Sequence, residues 1–321
     1  MNYMEEIFKK IDQAQKIAIF CHENADGDAI GCTLGLWTLL ENMWKMVKFV
    51  VPGWASKVFS FLKWYDKLQW DFDYGYEDLL ILVDCSEYSR LWEIARWKEE
   101  YFDSHEIAVF DHHHIKSHPW HWAVICDSTS TSCCEVILEN TKDIRAQYYT
   151  PEIATYLYLW LTTDSGNFRY DENPERIHTN AITLLKMWAD KKSIINNLIN
   201  CKTMPTILFL KELLNRLTIS WDIVYSYYDT DEFEKFGIDG EQAGYGLTIL
   251  QEIKWPKVAM TIRKEGDRVK CSLRSKDTDV HVIAKAFWWW GHLHASWFST
   301  DIQWDFETTI KDIVTKIQKM I

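Results

Sequence analysis

The feature that most constrains the fold is an alternation in the first half of the chain. Short aliphatic and β-branched runs, Lys16 to Cys21, Val47 to Val51, Leu79 to Val83, Ile107 to Phe110 and Ala123 to Cys126, are separated by stretches of helical periodicity. Strand and helix in turn are the signature of an α/β domain: a mostly parallel sheet with helices on both faces. The helical stretches fall near Ala29 to Met43, Ser56 to Leu62, Arg90 to Ala95 and Thr131 to Leu138. Longer ones follow near Pro151 to Thr162, Pro174 to Met187, Lys191 to Asn200 and Thr206 to Leu217. From about Asp222 the pattern turns strand-rich, with Ile223 to Tyr228, Lys257 to Arg263 and Arg268 to Leu273, and a helix from Phe306 to Met320 closes it. The expected organisation is a main domain over residues 1–189, a helical connector over 190–217 and a smaller mixed α/β domain over 218–321.

Composition narrows the class of function. Over 321 residues, 47% hydrophobic and 26% charged content is that of a water-soluble globular chain. No apolar run reaches a membrane span of roughly 18 residues, and the amphipathic start MNYMEEIFKKIDQAQK lacks the zones of a signal peptide, so a cytoplasmic protein is expected, with no membrane partner. The eight cysteines include no CxxC pair, which argues for reduced, mostly buried thiols. A net charge of −12 without any Lys/Arg stripe excludes long duplex nucleic acid as a partner; a phosphate substrate would have to be small and met by locally supplied positive charge.

Acids and histidines gather where the strands end. The first strand runs into His22-Glu-Asn-Ala-Asp26-Gly-Asp28, another into Val83-Asp84-Cys85, and a third into Asp111-His112-His113-His114. The carboxyl ends of parallel strands share one edge, where ligands bind. A fourth segment, Thr162-Thr-Asp164-Ser-Gly166, adds an acid after an apolar helical run. Each acid alone reads as a helix cap or turn former. Together they would bury too much negative charge without cations, and mixed imidazole and carboxylate donors suit manganese, iron or zinc.

At these residues the chain resembles the DHH phosphoesterase superfamily, and the string Thr162-Thr-Asp-Ser-Gly-Asn-Phe-Arg169-Tyr170 resembles its nanoRNase/pAp-phosphatase branch. The resemblance implies two divalent metals, manganese foremost. His22, Asp26 and Asp84 would hold one, and Asp28, Asp84, His112 and Asp164 the other, with Asp84 as the bridge. It further implies His113 aimed at the phosphate, Asp111 orienting a histidine, and a hydroxide between the metals as nucleophile. In the C-terminal part it implies a substrate-binding domain marked by Ser272, Arg274, Gly291, His292 and His294.

Tryptophan is the anomaly, at 18 residues against 12 glycines. Trp44 and Trp188 follow helical runs at the C′ position, where a left-handed backbone suits glycine. Trp288, Trp289 and Trp290 stand where the resembled family carries glycines that would approach a phosphate closely, and Trp297 stands where its pattern has another glycine. Three adjacent indoles cannot form such a backbone nest, though they could stack on a base.

The leading expectation is hydrolysis of short oligoribonucleotides or 3′-phosphoadenosine 5′-phosphate. Alternatives are a linear or cyclic dinucleotide phosphodiesterase, an inorganic pyrophosphatase, or a metal-dependent nucleotide-binding protein with impaired turnover. The sequence leaves the oligomeric state open, a homodimer included.

Overall fold

A computed structural model describes residues 3–53, 55–68, 70–113, 122–169, 173–288 and 293–321. The chain divides into two compact units, Met1–Cys201 and Lys202–Ile321. In the first, the order is α1 (Tyr3–Gln13), β1 (Lys16–Phe20), α2 (Gly27–Asn42), β2 (Met46–Val50), β3 (Leu79–Val83), α3 (Glu99–Asp103), β4 (Ile107–Asp111), β5 (Ala123–Cys126), α4 (Cys133–Thr141), α5 (Pro151–Tyr158), α6 (Pro174–Lys186) and α7 (Lys191–Leu198). The second runs α8 (Met204–Asn215), β6 (Thr218–Ser220), β7 (Ile223–Asp229), α9 (Asp231–Phe236), α10 (Gly240–Glu252), β8 (Val258–Glu265), β9 (Arg268–Ser275), α11 (Val280–Ala286), β10 (Ala295–Asp301) and α12 (Phe306–Gln318). The stretch expected as a connector is thus shared, with α7 in the first unit and α8 in the second.

Strands of the first unit lie in the order β2-β1-β3-β4-β5, all parallel. Alternate residues of each strand face opposite sides, so the sheet feeds two cores. Ile17, Ile19, Leu79, Ile81, Val83 and Phe110 pack with residues of α1, α2, α4 and α5. Ala18, Phe20, Leu80, Leu82 and Val109 pack on the other face against Phe72, Leu91, Ile94 and Phe102. Burial on both faces explains why LLILV reads as an unbroken apolar run.

Two stretches expected as helices, 56–62 and 90–95, are instead short 3-10 segments, Lys57–Phe59 and Tyr88–Ile94. Phe59 and Leu62 are buried, as are Leu91 and Ile94. That spacing of three matches the three-residue 3-10 turn, and neither stretch is long enough to propagate an α-helix unaided. In the second unit the sheet order is β10-β9-β8-β7-β6. Its Val258, Met260, Cys271 and Leu273 pack with α11 and α12, while Val224 and Ala259 face α10. Among the described residues no helix is long and apolar enough to cross a membrane.

Backbone geometry carries one unusual pattern. Trp44, Trp64, Trp97, Trp188, Trp221, Trp288 and Trp304 all have φ between 55° and 70°. A left-handed conformation costs a residue with a Cβ about 1 to 2 kcal/mol. Trp297 lies in β10, with the Lys270 ammonium 4.1 Å from its ring centroid. Trp289 and Trp290 lie outside the described residues.

Candidate metal centre

Three adjacent strands deliver the donors. Just beyond β1 stand His22 and Asp26; Asp84 follows β3; Asp111 ends β4 and is followed by His112 and His113. Asp26 also caps α2, its Oδ1 accepting from the Asp28 and Ala29 amides, both at 3.1 Å. That cap places Asp28 in the first helical turn, facing inward and fully buried. Asp164 arrives from the chain beyond α5.

These side chains form two contiguous groups. Ligand atoms of His22, Asp26 and Asp84 lie within 4.8 Å of one another, and so do those of Asp28, His112 and Asp164. Asp84 is common to both: its Oδ2 is 3.2 Å from His22 Nε2 and its Oδ1 is 3.4 Å from His112 Nε2. Two atoms each about 2.1 Å from one ion at octahedral or tetrahedral angles stand about 3.0 to 3.4 Å apart. His22 Nε2 and Asp84 Oδ1 are buried without a hydrogen-bond partner. Atoms at ligand spacing that leave their hydrogen-bonding capacity unspent are what a cation site requires, so the residues fit a divalent metal.

Electrostatics point the same way. Burial would lower the His22 imidazole, yet Asp26 and Asp84 carry it up to about 10. His112 is treated alike: burial pulls it down, and Asp84 and Asp28 raise it to about 10. Burial and then the charge of Asp84 push Asp28 up to about 7, while burial and Asp28 push Asp164 well above the usual carboxylate range. Burial also opposes ionisation of Asp84, but His112 and His22 overcome it and hold its carboxyl below the ordinary value. In the absence of cations, protons supply the positive charge that the pocket demands. Asp84 itself has φ 55°, a strained backbone of the kind that persists at functional sites.

His113 and Asp111 are coupled. Asp111 Oδ1 accepts from the His112 amide at 2.8 Å and the His113 amide at 3.1 Å, and lies 2.8 Å from His113 Nδ1. A carboxylate in that position makes Nδ1 the protonated ring nitrogen, leaving Nε2 for another partner.

Two neighbours of the cluster were not anticipated from sequence. The amides of Cys133 and Cys134, opening α4, donate to Asp28 Oδ2 at 2.6 Å and Oδ1 at 2.9 Å. The signal was present in Ser132-Cys-Cys-Glu135, whose Ser132 side chain caps that helix and marks its anion-accepting start. Arg90, expected only as the start of a helix, has its Nη1 3.4 Å from His113 Nδ1.

The C-terminal expectations are placed less completely. Ser272 and Arg274 lie on the same face of β9, while Cys271 and Leu273 point into the core. Arg274 Nη1 donates to the Leu273 carbonyl at 2.9 Å, and the exposed His294 approaches the Ser275 hydroxyl at 3.2 Å. Gly291 and His292 lie outside the described residues.

Comparison with known proteins accords with this geometry. Residues 16–159 match the DHH family, N-terminal domain. A bifunctional oligoribonuclease and PAP phosphatase NrnA of Mycoplasma genitalium is 25% identical over 313 residues, 97% of this chain and 97% of the relative. The protein of the same name from Bacillus subtilis is 22% identical over 318 residues, covering 96% and 98%. In structure, an exopolyphosphatase-related protein from Bacteroides fragilis superposes with a TM-score of 0.88 at 22% identity, over 99% of this chain and 96% of that one. The exonuclease RecJ bound to manganese superposes with a TM-score of 0.52 at 13% identity, over 99% and 93%, and shares the fold. The donors at three strand ends thus fall within the stretch, residues 16–159, that matches the DHH family, N-terminal domain, in a chain similar along nearly its whole length to proteins named bifunctional oligoribonuclease and PAP phosphatase NrnA.

Proposed function

We propose that this chain hydrolyses phosphoester bonds in short oligoribonucleotides and in 3′-phosphoadenosine 5′-phosphate, using two manganese ions. The observation that carries the reading is the bridging posture of Asp84, one oxygen toward His22 and the other toward His112. His22, Asp26 and Asp84 would hold the first ion, and Asp28, Asp84, His112 and Asp164 the second. When bound, such ions acidify water and offset charge on the transferring phosphoryl group. The relatives named oligoribonuclease and PAP phosphatase support the substrate class. A net charge of −12 favours a short nucleotide over a long strand.

The chain's own residues supply the remainder. Asp111 fixes the tautomer of His113, whose Nε2 is then available to a non-bridging oxygen or, when protonated, to the departing oxygen. Ser272, Arg274, Gly291, His292 and His294 would bind the far end of the substrate. Purified protein assayed against di- to pentanucleotide RNA, the bisphosphate nucleotide, cyclic dinucleotides and pyrophosphate, with and without Mn²⁺, tests the reading. Mn²⁺-dependent release of mononucleotide and phosphate from the first two is expected. Preference for pyrophosphate or a cyclic dinucleotide would replace it, and Mn²⁺-dependent binding without turnover would leave a nucleotide-binding protein.

A further inference from the structure

Resting on the phosphoesterase reading, we propose that Arg90 grips a phosphate oxygen of the substrate. The residue lies in the 3-10 segment that follows Asp84, and its carbonyl accepts from the Glu23 amide at 2.8 Å, which ties the segment to the loop carrying His22 and Asp26. Its guanidinium reaches His113 Nδ1 at 3.4 Å. That nitrogen already donates to Asp111, so it cannot accept from Arg90, and the approach leaves the arginine's donors uncommitted. Among the described residues Arg90 forms no ion pair with any carboxylate, although Asp84 and Asp111 both contact the same histidine. A half-buried guanidinium beside the donor cluster, with a rigid fork and no acidic partner among the described residues, has the chemistry to pair with a phosphate.

The test compares wild type, Arg90→Lys and Arg90→Ala, loaded with Mn²⁺, for metal content, for binding of inorganic phosphate by calorimetry, and for kcat and KM on a dinucleotide. Expected are unchanged metal content and a loss of phosphate affinity of about tenfold or more in both variants, given the strength of hydrogen bonds to charged groups. Unchanged phosphate affinity overturns the proposal, as does loss of the metals in Arg90→Lys, which would make the residue a support for His113. A wild type that binds phosphate through Arg90 yet cleaves no nucleotide leaves the phosphate grip standing and removes the catalytic reading.

A separate observation carries a second inference, about the left-handed tryptophans. After α2, the Trp44 amide donates to Glu41 and the Lys45 amide to Leu40; after α6, Trp188 donates to Leu185 and Ala189 to Leu184. The same pair of bonds closes α9, Gly237 to Glu234 and Ile238 to Phe233, with Gly237 at φ 66° beside 62° and 68° for the two tryptophans. The hairpin between β6 and β7 turns on Trp221-Asp222, with Trp221 at φ 55°; that between β8 and β9 turns on Gly266-Asp267, with Gly266 at φ 59°. Identical turns in one chain are thus built around glycine in two places and tryptophan in three. The indoles contribute no packing in return, since Trp44, Trp188, Trp221 and Trp288 are 89%, 80%, 82% and 92% exposed.

We infer that positions 44, 188, 221 and 288 carry glycine in the chain as its source cell makes it. One cause accounts for all of them together: the codon UGA is read as tryptophan by some bacteria and as glycine by others. A cell of the second kind would place glycine at each position, whereas translation by the first rule places tryptophan. Peptide masses of the protein isolated from its source cell decide the matter: glycine at these four positions is expected, with UGA at the matching codons, and tryptophan there overturns the inference. Independently, Trp44→Gly, Trp188→Gly and Trp221→Gly should each raise the melting temperature of the recombinant chain, and Gly237→Trp and Gly266→Trp should lower it. No gain in the first three would overturn the claim that these turns are built for glycine.

Discussion

The carboxylate of Asp111 holds the imidazole of His113 at 2.8 Å and at the same time accepts that residue's own amide at 3.1 Å. Side chain and backbone of the histidine are therefore oriented by one buried oxygen. Asp111→Asn keeps the shape but can present a donor where an acceptor is needed, freeing the ring to take the wrong tautomer. Loss of a partner that orients a site histidine costs about 10- to 100-fold in activity. We expect kcat to fall by that order while metal content, measured by atomic absorption, stays that of wild type.

Asp84→Asn should act on the metals themselves. Asparagine tolerates the left-handed φ of 55° at this position, so the fold should survive. The neutral amide cannot serve both His22 and His112 sides as a bridging carboxylate does. Saturating Mn²⁺ should raise the melting temperature of wild type, corresponding to about 2.7 kcal/mol at a hundredfold excess over Kd. In the variant that shift should vanish, together with turnover.

Arg176 organises acids away from the metal centre. Its guanidinium bonds Glu139 at 2.9 Å through Nε and Asp127 at 2.7 Å through Nη2, and Asn180 also reaches Glu139 at 2.7 Å. Burial would raise both carboxyls, but the arginine brings Glu139 below its ordinary value, and the Thr129 hydroxyl together with the arginine does the same for Asp127. A depressed folded pKa stabilises above the unfolded value and is lost as pH falls through the folded one. Arg176→Ala should therefore destabilise by on the order of 2 kcal/mol near neutral pH. Below about pH 4, where the unfolded-state carboxyls protonate, the gap from wild type in denaturant titrations should narrow.

Gly31 tests the packing behind the site. A Cβ at this point of α2 would stand 2.6 Å from the carbonyl oxygen of Tyr156 and 2.9 Å from Cys134 Sγ. Neither can yield cheaply, because one is helix backbone and the other lies beside Asp28. Gly31→Ala should cost about 1 to 3 kcal/mol despite the higher helix propensity of alanine, as read by chemical denaturation.

The parallel sheet was legible because each strand, buried on both faces, leaves a run such as LLILV between helical periods. The donor cluster was legible for a related reason: the strand ends are where acids and histidines interrupt those runs. Helix α10 was not, since Gly240, Gly244 and Gly246 depress helical propensity over Gly240–Glu252. Its start is instead secured by the capping box of Asp239 and Gln242, and a side chain at Gly246 would press on Leu213 of α8 at 3.0 Å. The 3-10 segments misread as helices share the opposite fault, an apolar spacing of three that also fits an α-helix over one turn. Arg90 escaped notice because nothing local distinguishes it; its meaning comes from a histidine 23 positions later.

Asp28 spends both oxygens on amides at the head of α4, and that anchorage owes nothing to a bound ion. The head of α4 therefore acts as a clamp on one proposed ligand, and a change that unwinds its first turn would be felt in the pocket although it touches none of the other donors.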